Sequence, residues 1–369
     1  MIIELHAIQS FAPANLNRDD TGNPKEALFG GVRRARISSQ SAKRAMRVSD
    51  IFRNAVTVPT GTRTKKLVKH ISDKLEHDGL DRAWVEKQAV AIAEDLYAKM
   101  DRRAETETSV LLYISDDEVN AIARFLSETR EGDTEPDIKA FGKSFVKQLA
   151  NRTSAPDIAL FGRMLAENPE LNIDAACQVA HAISTHEVNS AEFDYFTAVD
   201  DFTPEDTSGA GMLGLVPFNS ATYYRCARID WEQLVTNLGG DADLARQTVG
   251  AFMRAFSLVV PSGMQNSFIN QHAPDFLLAV ARPNNDGQSL ANAFERPMKN
   301  DRENGYAEPS IAALSQYWDQ VEGAFRIADP GLAVLNPRGY ALASEELTGA
   351  TVSNLGEWVG AVTAVLSEG

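Results

Sequence analysis

A chain of 369 residues with 44% hydrophobic content can bury one large core with insertions or two ordinary ones, which excludes disorder of the whole chain. No run approaches the roughly eighteen apolar residues of a membrane helix, and Met1-Ile2-Ile3-Glu4 lacks the makings of a secretory signal, so a soluble, cytoplasmic protein is expected, with no membrane partner. The net charge of -15 argues against nucleic-acid binding only if it is evenly spread, and Cys177 and Cys226, far apart and without a Cys-x-x-Cys partner, suggest neither a disulfide framework nor a thiolate zinc site.

Ile3-x-Leu5-x-Ala7-x-Gln9 alternates like a half-buried strand, which Pro13, Asn15 and Asn17 end. A polar loop runs from Asn17 to Lys25, Phe29-Gly30-Gly31 turns the chain, and Val32 to Ile37 reads as a short strand. Either Ser38 or Ser39 can cap the helix that follows. On that helix Ala42, Ala45 and Met46 make the apolar face, while Gln40, Lys43, Arg44 and Arg47 recur at spacings of three, four and seven on the other. From Ala27 to Ser49 there is no acidic residue, yet Arg33, Arg34, Arg36, Lys43, Arg44 and Arg47 supply six positive charges, so the rest of the chain is more acidic than the net -15. Such a distribution confines a polyanion to one path.

From Gly61 to Arg130 the pattern is helical, with stripes such as Val85, Ala89, Ile92 and Leu96 or Val119, Ile122, Ala123 and Leu126, and Glu128 to Pro136 reads as a charged linker. Asp157 to Met164 and Asn172 to Glu187 suit either a strand or a buried helix, with strand preferred. Tyr195 to Tyr224 reads as a protruding hairpin with arms Tyr195 to Val199 and Ala221 to Tyr224 around an acidic, glycine-rich middle. A helix from about Asp241 to Leu258, a polar segment around Met264 to Asn270, a strand from Phe276 to Arg282 and a helix from Ser310 to Ala324 complete the pass. Strands and helices interleave without a strict βαβ order, which predicts an α+β fold.

The run Phe29-Gly30-Gly31-Val32-Arg33-Arg34-Ala35-Arg36-Ile37-Ser38-Ser39-Gln40-Ser41-Ala42-Lys43-Arg44-Ala45-Met46-Arg47 carries a resemblance. With Leu16 to Asp20, Thr185-His186, Phe196 to Asp201, Leu290 to Glu295, Pro309-Ser310-Ile311 and Gln316 to Asp319, it resembles the CasC-type backbone subunit of the type I-E CRISPR complex Cascade, in CRISPR-associated protein family seven. The resemblance runs from about residue 2 to about residue 327. It implies a modified RNA-recognition (ferredoxin-like) palm over 1–60 and 151–327, a helical finger insertion over 61–150 and a β-hairpin thumb over 195–224; it assigns nothing to 328–369, where Leu355 and Trp358 are apolar anchors. Several copies of such a protein wrap a CRISPR RNA helically beside other Cascade subunits, each thumb kinks the guide, and the segments between kinks pair with target DNA.

The helix face of Gln40, Lys43, Arg44 and Arg47 is a solvated stripe or a phosphate-tracking surface, and the acid-free segment together with the resemblance favours the second. Arg18 and Lys25 match family positions that approach the RNA, and Ser38 and Ser39 have hydroxyls for capping or for phosphate. The resemblance makes Phe196 and Thr197 the residues that displace a nucleotide and Met164 the wedge, with Arg163 beside it as a phosphate contact; on its own, Met164 reads as core. No base-reading set is visible, as a holder of any guide requires. Asp19-Asp20 and Asp200-Asp201 raise a metal-dependent endoribonuclease as the alternative, but adjacent residues point apart and build no two-metal site, so no catalytic residue, metal or cofactor is expected. His6, His70, His77, His181, His186 and His272 show no metal-ligand spacing and default to core or surface roles.

Overall fold

The computed structural model describes residues 1–369 except 77–78, 133, 189–191, 198–212, 284–286, 301–302, 304 and 367–369, together with the side chains of 196, 197 and 213. The chain forms two compact units, one of Met1–Phe52, Val179–Arg228 and Gly250–Gly369, the other of Arg53–Gln178 and Ile229–Val249. The architecture is α+β: a sheet palm, a helical insertion and a hairpin. The divisions fall at Phe52 and Gln178 instead of residues 60 and 150, so Arg163 and Met164 belong to the helical unit.

In the first unit the strands lie in the order Gly331–Leu335, Phe276–Arg282, Ile2–Ala14, Leu213–Asp230, Ala182–Ser184, Val32–Ile37 and Glu26–Phe29. The first strand was expected to be half-buried, yet residues 2–9 are buried at every position. It is central, with both faces covered, so its polar positions need internal partners. Glu4 receives Arg282 Nε at 2.9 Å, and His6 Nδ1 meets Tyr224 Oη at 2.9 Å. Arg282 also donates to Glu322 at 2.6 Å, which pins the helix Ala307–Phe325 to the sheet. Ile311, Leu314 and Trp318 of that helix pack with Ile8, Leu278 and Val280, and Phe11, Ala35, Ile37, Ala182 and Tyr223 form a separate cluster.

The segment after Arg326 is part of the same unit. Gly331–Leu335 pairs antiparallel with the strand Phe276–Arg282 at the sheet edge, and the helix Leu355–Val365 seats Trp358 with Nε1 donating to Ala333 O at 3.0 Å. Trp358 is fully buried and Leu355 half-buried. The hairpin differs from its expected register: Glu192–Thr197 pairs with Leu213–Phe218, whereas Ala221–Tyr224 continues the same long strand into the sheet, where Tyr223 faces Ser184.

In the second unit the helices Leu67–Leu75, Arg82–Leu96, Asp116–Glu131 and Ile138–Leu149 gather one apolar core. Asp81 caps the second through Trp84 N–H, and Ser115 with Glu118 forms a capping box on the third. Between the helices run short strands that helical periodicity conceals, Thr62–Thr64 against Leu112–Ile114 and Met100–Asp101 against Ala104–Thr108. The third helix continues to Glu131 and takes in the first four residues of the expected linker. Asp157 to Phe161, preferred as strand, is helical: Pro156 starts it, Gly162 at φ 76° ends it, and Pro156 to Leu160 are buried throughout, so no amphipathic period marked it.

Candidate nucleic-acid interface

Phe29 pairs with Val32 across Gly30-Gly31, whose φ values of 60° and 80° fit the two-residue hairpin turn that only glycine adopts freely at both positions. A Cβ on Gly30 would run into the carbonyl oxygen of Glu295, so that glycine also permits a close backbone approach. The approach is bridged by Arg34, fully buried, which donates to Phe29 O at 3.2 Å, Ser184 O at 2.9 Å and Phe294 O at 2.8 Å. Leu290 to Glu295 thus serves as the landing place for a structural arginine.

The strand Val32–Ile37 feeds the helix Ser39–Val48 through Ser38, whose hydroxyl accepts from Ser41 N–H at 3.3 Å; Ser38 is the cap and Ser39 the first helical residue. The loop before the strand is tied to the same place. Asn17 Oδ1 accepts Ser38 N–H at 2.8 Å, Lys25 N–H donates to Asn17 O at 2.9 Å, and Arg36 N–H donates to Lys25 O at 2.8 Å. Arg18 bridges to Pro24 in that loop. Residues from sequence positions 17 to 44 are thereby brought to one face, where Arg18, Gln40 and Arg44 are exposed and Lys25, Arg36, Ser39 and Lys43 half-buried. The antiparallel register of Ile37 with Ala182 carries His181 to the start of the helix, and its Nδ1 accepts from Ser39 N–H at 3.2 Å and from Arg36 Nη1 at 3.3 Å. Partial burial and then the cations Arg36, Lys25 and Lys43 hold the His181 pKa below its ordinary value. Lys25, Arg33, Arg36 and Phe193 line one open cleft together with two carboxylates, Asp19, which is bonded within its own turn, and Glu26, which pairs with Arg33 at 2.8 Å. The chemistry on offer is cationic and hydrogen-donating, with an exposed aromatic ring from the hairpin.

Three arginines stand apart from this face. Arg34 is committed to carbonyls, and Arg47, predicted on the open stripe, is buried with 9% exposure although it shares the helix face of Lys43 and Arg44, because it lies in the last turn, where the helix ends against the rest of its unit. Arg163, predicted to meet phosphate, is also buried: its Nη1 lies 2.7 Å and 2.8 Å from the two Glu118 carboxylate oxygens, and Nε and Nη2 donate to Leu171 O. A guanidinium so enclosed holds the helical unit together and does not reach solvent. Met164 beside it is 86% exposed, the reverse of the core position its residue type suggests. Phe196 and Thr197 lie on the hairpin strand opposite Gly214 and Leu213, and their side chains fall outside the described residues, as do Asp200 and Asp201.

Asp19 is a turn residue. One carboxylate oxygen accepts from Thr21 N–H and Asn23 N–H at 2.9 Å and from Thr21 Oγ1 at 2.8 Å, and these bonds, the Thr21 hydroxyl first, hold its carboxyl below the usual range. Among the described residues no three His, Cys, Asp or Glu side chains gather as metal ligands, and no helix is long and apolar enough to cross a membrane. Sequence reasoning passed over His181, Arg36 as a site residue, and Phe193. Arg36 carried a local signal in the acid-free run; His181 and Phe193 lie far along the chain from the cations they join, His181 145 positions from Arg36, and only strand register brings them there.

A family model described as CT1975-like protein matches residues 3–359. Two solved structures share the fold across 99% of this chain and 100% of theirs: one described as "CRISPR RNA-guided surveillance complex, pre-nicking", at 28% identity and a TM-score of 0.85, and one described as "CRISPR RNA-guided surveillance complex", at 25% and 0.73. Comparison with curated protein sequences gives no match.

Proposed function

The chain belongs to the CT1975-like protein family, and from that membership and its acid-free basic segment we propose that it is a non-catalytic CRISPR RNA-binding subunit, the CasC-type backbone of a type I-E Cascade complex. Its partners are CRISPR RNA, target DNA paired to the guide, further copies of itself and the other Cascade subunits, in the cytoplasm. Copies line up along the guide, grip phosphate and sugar, and leave the Watson–Crick edges free for the target. The observation that carries this reading is the convergence of Lys25, Arg36 and Lys43 around one histidine, the last two from a stretch that has no carboxylate from Ala27 to Ser49 in a protein of net charge -15.

The test is assembly and salt dependence. The native particle should contain RNA protected at a regular interval. Lys43→Ala with Arg44→Ala should weaken single-stranded RNA binding and lower the slope of log affinity against log salt by about 1.4, at about 0.7 per lost phosphate contact. An unchanged affinity and slope would place the RNA elsewhere. Incubation of labelled guide or target RNA with magnesium should leave it intact; cleavage that Asp20→Ala abolishes would replace this reading with that of a metal-dependent endoribonuclease.

A further inference from the structure

His181 is exposed, immediately before the strand Ala182–Ser184. Its Nδ1 faces two groups that can only donate, the Ser39 backbone N–H and the Arg36 guanidinium. Nδ1 is therefore unprotonated, and the neutral ring carries its proton on Nε2. The charged groups that act on the ring come from each neighbouring element, Lys25 from the loop, Arg36 from the strand and Lys43 from the helix, and all three are cations. A second proton would have to enter at Nδ1, against two donors and three positive charges. What remains is one N–H without a protein partner among the described residues, set in a field that collects anions.

Resting on the RNA-binding reading above, we infer that His181 is a backbone contact in its own right, its Nε2–H donating to a phosphate oxygen while Nδ1 holds Ser39 N–H and Arg36 in position. The contact is neutral. A hydrogen bond to a charged group strengthens binding about tenfold or more, but a neutral donor displaces no condensed counterion. His181 therefore adds affinity without adding to the salt dependence, unlike the lysines around it.

The full-length chain, labelled with 15N-histidine, tests both halves. Two-bond 1H–15N correlations at pH 7.5 should show the Nε2–H tautomer for His181, and titration with a mixed-sequence single-stranded RNA should move the Nε2 resonance at saturation. In fluorescence anisotropy His181→Ala should bind the same RNA about tenfold or more weakly with an unchanged salt slope, whereas Lys43→Ala lowers the slope. A proton on Nδ1, an Nε2 resonance unmoved at saturating RNA, or a slope that falls by about 0.7 in His181→Ala, as for a lost cation, would overturn the contact and leave RNA binding itself intact. No anisotropy change with the parent chain would overturn the RNA reading, and this inference with it.

Discussion

Replacing Arg163 by alanine strips Glu118 of the guanidinium that neutralises it inside the helical unit. The side chains are 1% and 3% exposed, and the pair is bidentate at 2.7 Å and 2.8 Å. Tyr97 Oη also donates to Glu118 at 3.0 Å; burial and then the carboxylate charge hold that phenol well above its ordinary pKa, so it stays a donor but cannot replace a cation. Leu171 O loses two bonds as well. Breaking a buried ion pair by removing one partner costs about 3–5 kcal/mol, because a charge is stranded in low dielectric. For a domain of this size each kcal/mol lowers Tm by roughly 2–4 °C, which places the loss at roughly 6–20 °C. Urea unfolding of parent, Arg163→Ala, Glu118→Gln and Arg163→Met/Glu118→Gln measures it, and the double variant should recover part of the loss because no charge is left unpaired. If Arg163→Ala unfolds within about 0.5 kcal/mol of the parent yet binds RNA more weakly, the structural role argued here is wrong and Arg163 is a phosphate contact.

Three further outcomes follow from the palm. Gly30→Ala puts a Cβ against Glu295 O at a left-handed φ, and should lower stability by at least about 2 kcal/mol in urea unfolding, more than Gly22 replaced in the same way, a turn glycine where a Cβ would meet nothing. Trp358→Ala empties the site of a fully buried indole bonded to Ala333 O, and should cost about 3–5 kcal/mol and open Gly331–Leu335 to limited proteolysis; a protease-resistant variant would refute the sheet role of the C-terminal segment. His186 is buried and neutral, with Nδ1 donating to Glu187 O at 2.7 Å and Nε2 accepting Thr222 N–H at 3.2 Å, and burial, then the Arg34 cation, depresses its pKa. The unfolded chain takes up a proton near pH 6.5 that the folded one refuses, so stability is full above about 6.5 and declines as pH falls toward the folded pKa. Urea midpoints between pH 7.5 and 5.5 should show that decline, and His186→Gln should remove its share; an identical slope in the variant would refute it.

Much of the palm's local structure was legible because it rests on short-range chemistry. Gly30-Gly31 between Phe29 and Val32 dictates a tight hairpin, Ser38 before an amphipathic run dictates a helix start, and Phe276–Arg282 is apolar enough to read as a strand at its observed limits. Elements buried on all sides were harder, since a helix such as Pro156–Phe161 shows no period when every face is covered. The hairpin's second arm was misplaced because Leu213–Asp230 is one continuous strand that serves first the hairpin and then the sheet, and nothing in its residues marks where one partner gives way to the other.

Charge followed the same division. That a basic, acid-free segment exists in an acidic chain is a property of the sequence alone, as are the glycine turn and the helix that carries Lys43 and Arg44. Which cations face outward depended on the fold. Arg34, Arg47 and Arg163 are chemically the equals of Arg36, yet burial turns them inward, where a guanidinium persists only with carbonyls or a carboxylate around it, while the register of Ile37 with Ala182 delivers His181 to the cations that stay outside. Composition determines how much charge a chain carries, but only long-range pairing decides which of it water and ligand can meet.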